Sequence, residues 1–343
     1  MVIESTLRTP LCVSIGIDLP IVQAPIGRVG GAELAAAVSN AGGLGMLGLS
    51  YATDADIVVT LASMAETTDR PYGVNLILAQ DQRRRLELTL AAGVRLISYF
   101  WSEPILDSPY IREAHEAGAL VIWTVGSAEE ARRAVDAGVD IIVAQGLDAG
   151  GHVWGTVGTL ALVPAVVDAV GSVPVIAAGG IGDGRGLAAV LALGAQAAWM
   201  GTRFVLTPES LAHPDYRERL IDATETDAVW SSGVFDLGWS APVRTLDNPT
   251  LQAWRAAGSP GRARPGEGEV IGHRIDGGPI LRYDFAPPVT GMTGDLDAMA
   301  NYAGQSVGVI GRERPAGNIV RDVAAEAERI IAALARSDRR PGP

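Results

Sequence analysis

The first 200 residues repeat one short phrase: a segment of helical period ends on a small residue and a glycine, and an apolar run begins at once. It reads Asn40-Ala41-Gly42-Gly43-Leu44, Ala92-Gly93-Val94-Arg95-Leu96, Ala117-Gly118-Ala119-Leu120, Ala137-Gly138-Val139-Asp140-Ile141 and Leu193-Gly194-Ala195. A glycine that closes a helix in the left-handed conformation and passes the chain straight to a strand makes a short helix-to-strand loop. Copies recur about every 20 to 30 residues, or about twice that where one copy is degenerate, as alternating strands and helices require. Eight strands are predicted: Pro20–Ala24, Leu44–Gly48, Tyr72–Leu76, Leu96–Tyr99, Leu120–Thr124, Ile141–Ala144, Val173–Ala177 and Ala197–Met200. Amphipathic segments such as Ala128–Ala137 and Arg185–Leu193 lie between them. The helix Ala32–Ala41 fits either α/β architecture. Eight alternating units favour a closed (β/α)8 TIM barrel over an open doubly wound sheet. A chain rich in Ala, Gly, Val, Leu and Ile, with few aromatics, suits buried parallel strands packed closely on helices.

The pattern breaks after Thr202. Pro208–Asp222 reads as a helix, and residues 225–300 carry Trp230, Trp239 and Trp254, then a stretch rich in Arg, Gly and Pro from Gly258 to Gly278. Such punctuation predicts loops and short helices rather than a second core. The expected organisation is a barrel of residues 1–206 and 301–343 with an inserted substrate or lid subdomain at 207–300, mostly helix and loop. The amphipathic helix Ala316–Arg336 should pack back on the barrel.

Composition excludes several functions. All 27 fixed cations are arginine and none is lysine, which removes Schiff-base and pyridoxal phosphate chemistry and a Walker A loop. A net charge of −12 argues against nucleic acid and against an anionic membrane surface. The single cysteine, Cys12, forms no internal disulfide and is expected to pack in the core. No run reaches about 18 uncharged apolar residues, no secretory leader is read, and a cytoplasmic location is the default. No His/Cys/Asp cluster has metal-ligand spacing.

Three motifs carry the functional reading. Gly43-Leu44-Gly45-Met46-Leu47-Gly48 matches G-x-G-x-x-G, but a helix precedes it and the motif itself reads as a strand, so it is taken as a tight second strand, not a dinucleotide site. Val173 to Gly184 is a buried strand ending in Gly179-Gly180, with Asp183 a helix cap shortly after. The following strand ends in Trp199-Met200-Gly201-Thr202-Arg203. In a barrel these two ends are neighbours, and glycine N–H groups beside a helix N-terminus suit a phosphate. The third motif, Gln145-Gly146-Leu147-Asp148-Ala149-Gly150-Gly151-His152-Val153-Trp154-Gly155, follows the sixth strand on the same rim. Its His152 is placed to accept a substrate proton near neutrality. His115 is expected at the surface, His213 near a helix start, and His273 in the insertion.

These motifs resemble those of nitronate monooxygenases, formerly called 2-nitropropane dioxygenases, over nearly the whole chain. The likeness includes Pro20-Ile21-Val22-Gln23-Ala24-Pro25-Ile26, Gly73-Val74-Asn75-Leu76, Gln145 to Gly155, Ala177 to Ile181, Met200 to Phe204, Tyr302 to Ser306 and Pro315 to Val320. The resemblance implies FMN as cofactor, held by Asn75, Gln145, Gly150, Gly151, Gly179, Gly180, Trp199, Met200, Gly201 and Thr202, with Ala24, Pro25 and Ile26 under the ring. It implies His152 as base, Gln305 reaching toward the site, and a small-molecule substrate with dioxygen; a homodimer is compatible with it. The activity implied is oxidation of alkyl nitronates or nitroalkanes to a carbonyl compound and nitrite. The alternatives kept beside it are an NAD(P)H-dependent FMN reductase of quinones or enoyl thioesters, a specialised flavin monooxygenase, and a phosphate-binding barrel without turnover. Ile26 stands where the family commonly has Met, Asp148 where it has Glu, and Trp199 where it often has Gln. Trp154 belongs to a one-residue extension before Gly155, and the two tryptophans are expected to reshape the substrate pocket.

Overall fold

The repeated phrase folds as its glycines require. In the computed structural model, which describes residues 7–337, Gly42, Gly93, Gly118, Gly138 and Gly194 close their helices at φ of +95°, +87°, +74°, +93° and +94°. A strand follows each: β1 (Ile21–Gln23) starts the barrel, then β2 (Gly45–Gly48), β3 (Tyr72–Ile77), β4 (Leu96–Phe100), β5 (Leu120–Val125), β6 (Ile141–Gln145), β7 (Val175–Ala178) and β8 (Ala197–Met200). All pair in parallel, in the order β1-β8-β7-β6-β5-β4-β3-β2. The ring closes through a bridge between Val22 and Leu44, where Gln23 N–H donates to the Leu44 carbonyl at 2.9 Å and Leu44 N–H to that of Ile21 at 2.9 Å. The chain is therefore a (β/α)8 barrel. The expected ends of its parts at residues 1–6 and 338–343, and the start of the stretch read for a leader, lie outside the described residues.

Alternation sorts the side chains. Val22, Leu44, Met46, Ile122, Val143 and Ile176 fill the barrel interior, while Val74, Ile97, Val121, Ile142 and Ala177 face the surrounding helices. The N-terminal end is plugged by a helix that the sequence reading did not anticipate, Pro10–Ile15, which buries Leu11, Cys12 and Ile15. Gln196 fixes it: its side-chain oxygen accepts from Leu11 N–H at 2.8 Å and its carbonyl from the Thr9 hydroxyl at 2.8 Å. Cys12 is a free, buried thiol in this plug.

The glycine run at 43–48 is a packing device. A Cβ at Gly45 would overlap the Ala35 carbonyl, and one at Gly43 would stand 2.8 Å from the Ile21 carbonyl oxygen. The helix Ala32–Asn40 lies directly on β2 for that reason.

Beyond β8 the structure departs from the expectations in two ways. The helix after the barrel is Pro214–Asp222, not Pro208–Asp222: Pro214 occupies its first turn, and the His213 ring nitrogen accepts from Asp215 N–H at 3.2 Å as a cap. Proline is suited to a helix start and not to its interior. The second difference is a second hydrophobic cluster, in which Tyr216, Leu220, Leu246, Ile271, Ile280 and Met299 pack with Val29, Leu206, Ala303, Val307 and Ile310 from the segments expected to belong to the barrel. It is built partly on short antiparallel strands, Ala228–Ser231 with Val243–Leu246 and Val270–His273 with Pro279–Leu281. Strands of three or four residues, widely separated in sequence, leave too few alternations to register as a period. The last helix, Ala316–Ser337, packs on the helix Gly184–Ala192, where Glu326 accepts from Gly184 N–H at 2.8 Å. No helix among the described residues is long and apolar enough to cross a membrane.

Because a methyl group at residue 45 has no space against backbone, Gly45→Ala should lower stability by more than about 3 kcal/mol. A urea midpoint within error of wild type would show that β2 and the helix on it are free to separate.

Candidate active site

The C-terminal ends of the strands open into a cavity of about 420 Å³. Ala24, Pro25 and Ile26 after β1, Asn75 on β3, Gln145 at the end of β6, Gly179 and Gly180 after β7, and Trp199, Gly201 and Thr202 on and after β8 all line it. So do Gly150, Gly151 and His152. The structure thus brings most of the expected site residues together.

Three do not reach it. Met200 is the outward member of the Trp199–Met200 alternation and is buried between barrel and helices, where its carbonyl accepts from Ala24 N–H at 2.9 Å. Trp154 is turned away by the extra residue: Val153 N–H donates to the Pro242 carbonyl at 3.0 Å, and the Trp154 indole N–H donates to Glu130 at 2.8 Å. Gln305 is exposed beside a shallow outer groove with Asp148 and Leu160. The sequence reading in turn missed Trp239, Arg274, Phe285 and Tyr302, which come to the cavity wall from the insertion and the segment after it. No local pattern marks Trp239 or Phe285; only their place in three dimensions does.

The β6 loop is clamped to the insertion. Gly151–His152 pairs antiparallel with Val243–Arg244. The Gln145 side chain donates to the His152 carbonyl at 3.1 Å and accepts from Trp154 N–H at 2.9 Å, so its amide holds the loop. Arg244 is 6% exposed and donates to the Leu147 carbonyl at 2.8 Å and to that of Ala228 at 2.8 Å. Asp148, the Glu replacement, accepts from Thr159 N–H at 2.6 Å and so caps the helix Thr159–Val170. A Cβ at Gly150 would overlap the Gly304 nitrogen, which is why glycine stands where this loop meets the C-terminal segment.

The helix N-terminus expected to take a phosphate is already engaged. Asp183 caps the helix Gly184–Ala192 by accepting from Arg185 and Gly186 N–H at 3.0 and 3.1 Å, and Glu326 takes Gly184 N–H. That helix N-terminus is therefore already satisfied by carboxylates and unsuited to a phosphate. Arg203 is directed outward, donating to the carbonyl of Ile310 at 2.6 Å; burial and the neighbouring Arg314 and Arg312 push its pKa down to about 10. The donors that remain are backbone. Among the described residues, the N–H groups of Gly179, Gly180, Ile181, Gly201 and Thr202 have no acceptor in the protein, and all five residues line the cavity. Gly180 has φ of +70°, and a side chain there would press on Asp148. Asn75 Oδ1 accepts from the Ser98 hydroxyl at 3.0 Å, leaving its Nδ2 for a ligand. These unengaged amides, with the apolar residues Ala24, Pro25 and Ile26 beside them, fit a planar ring bearing a phosphate tail.

His152 is enclosed by rings. Trp239 stacks on it at 3.7 Å between centroids and 24° between planes, Tyr302 lies at 5.4 Å and Trp101 stands edge-on at 6.0 Å. Its Nε2 is buried without a hydrogen-bond partner. Burial pushes the imidazole down to about 3, so the ring is uncharged at neutral pH. The other histidines have structural roles: His115 faces Asp140 at 2.8 Å, His213 caps a helix, and His273 is exposed at a strand end.

A rim of this kind is what a flavin-dependent barrel oxidoreductase presents to its cofactor and substrate. The family model described as nitronate monooxygenase matches residues 8–87 and 78–326, and the chain belongs to that family. A (3aS,4S,5R,7aS)-5-hydroxy-7a-methyl-1-oxo-octahydro-1H-indene-4-carboxyl-CoA dehydrogenase of Mycobacterium tuberculosis is 43% identical over 220 residues, which are 63% of this chain and 61% of that protein. The match thus spans about three fifths of the relative's length. Among solved structures, FabK from Thermotoga maritima superposes with a TM-score of 0.80 at 34% identity, over 97% of this chain and 100% of that one. The nitroalkane oxidase from Streptomyces ansochromogenes gives 0.76 at 30% identity, over 94% and 99%.

The buried imidazole makes stability depend on pH. An unfolded histidine takes up a proton near pH ~6.5, whereas the folded ring resists it down to about 3. Its contribution is thus complete above pH ~6.5 and is lost as pH falls toward the folded value. Wild type should lose more stability between pH 7 and 4 than His152→Gln, read as urea midpoints. Parallel losses in the two proteins would contradict the burial.

Proposed function

We propose that this chain is an FMN-dependent oxidase of alkyl nitronates, and of nitroalkanes once His152 has removed the α-proton. The reading is carried by an uncharged imidazole on the wall of an apolar cavity that is also lined by unengaged backbone N–H groups, among them those of Gly180, Gly201 and Thr202. A phosphate monoester there would accept from Gly180, Gly201 and Thr202. The Thr202 oxygen already accepts from Gly304 N–H at 2.9 Å, so its own proton is available to the same phosphate. FMN held there would supply the electron acceptor, with dioxygen as the final oxidant. Ala24, Pro25 and Ile26 would support the ring, and Asn75 Nδ2 would donate to its polar edge.

The protein's own part is to take a proton and shield the resulting charge. The neutral imidazole accepts the α-proton of a nitroalkane, a contribution of about 10²- to 10⁴-fold. The nitronate so formed lies beside the imidazolium in a water-poor site, where their attraction is stronger than in solution. The substrate carbon leaves as a carbonyl compound and its nitrogen as nitrite. Residues 207–300 act as an insertion on the barrel that supplies part of the substrate wall through Trp239, Arg274 and Phe285.

A second reading is favoured by the 43% likeness to a CoA-thioester dehydrogenase. The carbon next to a thioester carbonyl is also a weak acid, and the same base would serve an oxidation or, run in reverse with NAD(P)H, a reduction. Anaerobic mixing separates the two: bleaching of the flavin by ethyl nitronate supports the first, and bleaching only by NADH or by an acyl-CoA supports the second.

Two substitutions test the assignments. His152→Ala should lose about 10²- to 10⁴-fold in kcat/KM on neutral nitroethane and far less on preformed nitronate; equal losses on both would remove His152 from the proton transfer. Thr202→Val deletes a hydroxyl donor and leaves Gly304 N–H unpaired, so the Kd for FMN should rise by about tenfold or more. An unchanged Kd would place the phosphate elsewhere.

A further inference from the structure

The imidazole of His152 has two nitrogens and the fold treats them differently. Nε2 is sealed without a partner, and Nδ1 makes no hydrogen bond among the described residues either. In most catalytic histidines one nitrogen is bonded to a carboxylate or carbonyl, which fixes the tautomer. Here the backbone clamp fixes only the main chain. The tightest ring contact is with Trp239, stacked at 3.7 Å between centroids.

Trp239 reaches the imidazole through a specific loop geometry. It follows Gly238, whose φ is +97° and where a Cβ would stand 2.6 Å from the Phe285 ring. The indole is 8% exposed and its Nε1 also has no partner among the described residues, so shape rather than hydrogen bonding holds it. Trp101 meets it edge-on at 4.9 Å and is braced in turn by Trp154 at 5.1 Å, the tryptophan anchored on Glu130. The extension that carries Trp154 away from the cavity thus supports, at third hand, the ring stacked on His152.

We propose that Trp239 is a positioning residue, which by stacking on one face of the imidazole holds the ring so that Nε2 stays buried and Nδ1 is the nitrogen that meets the substrate proton. This rests on the reading of His152 as the base. It requires the tautomer with the hydrogen on Nε2, since the accepting nitrogen must carry a lone pair. The stack also removes water from the ring, the cause of its low basicity. The charged and titratable side chains that share the cavity are Arg28, Arg274, Asp276, Tyr51, Tyr216 and Tyr302. Arg274 is paired with Asp284 at 2.6 Å, the Tyr302 hydroxyl donates to the Phe285 carbonyl at 2.7 Å, and Tyr216 donates to the Tyr302 carbonyl. None of the six hydrogen-bonds the imidazole. Without Trp239, one ring face becomes wet and the imidazole is free to turn, so that either nitrogen can face the cavity.

The test is nitrogen NMR on FMN-loaded protein labelled with 15N-histidine, the His152 signals being assigned by their loss in His152→Gln. At pH 7 the wild type should show a protonated Nε2 and a bare Nδ1; the reverse tautomer overturns the proposal. In Trp239→Ala the His152 titration midpoint should rise by more than one pH unit toward the ordinary range near ~6.5, with both tautomers populated. The acid limb of kcat/KM on nitroethane should follow it. Trp239→Phe keeps a stacked ring and should stay close to wild type in both readouts. A midpoint unmoved in Trp239→Ala overturns the proposal, and should that variant fail to fold, the wild-type tautomer still decides it. The NMR readouts need no turnover: if wild type ignores nitroethane and its nitronate, the nitronate reading fails while the role of Trp239 is judged separately.

Discussion

The site depends on how the main chain of His152 is held. Its two-residue strand pairs with Val243–Arg244 of the insertion, its carbonyl accepts from Gln145, and the next N–H groups are taken by Pro242 and Gln145. Arg244 ties the start of the same loop from below. The barrel and its insertion therefore share one wall. The imidazole needs no side-chain hydrogen bond to stay in place, and both its nitrogens remain uncommitted. Precise placement of a functional group through the rigidity of its surroundings is how an active site becomes preorganised.

The proposed phosphate seat follows a related economy. The chain is acidic and lacks lysine, and Arg203, next to Thr202, is engaged by the Ile310 carbonyl. Even the neighbouring helix N-terminus is occupied by Asp183 and Glu326. An anion there depends on backbone N–H groups at two glycine-bearing strand ends and on one threonine. Such a seat would select by geometry more than by charge, since backbone amides carry no net charge. It can operate only where the two strand ends are neighbours, which the closed barrel ensures.

Much of this was legible in the sequence because the barrel is repetitive. Helix-closing glycines mark each αβ turn, so β8 is found at Ala197–Met200 and most other strands within one or two residues of their predicted bounds. Rim residues next to a strand end, such as Gly180 and Thr202, inherit their location from that regularity. Legibility failed where a residue's direction depends on something outside its own unit. Met200 was grouped with its neighbours although alternation turns it outward, and Trp154 was grouped with His152 although the added residue rotates it toward Glu130. Trp239 is the opposite case: it lies far from every motif, in a segment of short strands that no period reveals, and only the pairing of Val243 with His152 brings its loop over the imidazole.

The most direct test of the account is a crystal structure of the FMN-loaded protein. The account predicts the phosphate within hydrogen-bond distance of the amides of Gly180, Gly201 and Thr202, with the ring over Ala24 to Ile26 and His152 at its open face. A phosphate seated on the helix that Asp183 caps, or a flavin ring separated from His152 by intervening side chains, would contradict it.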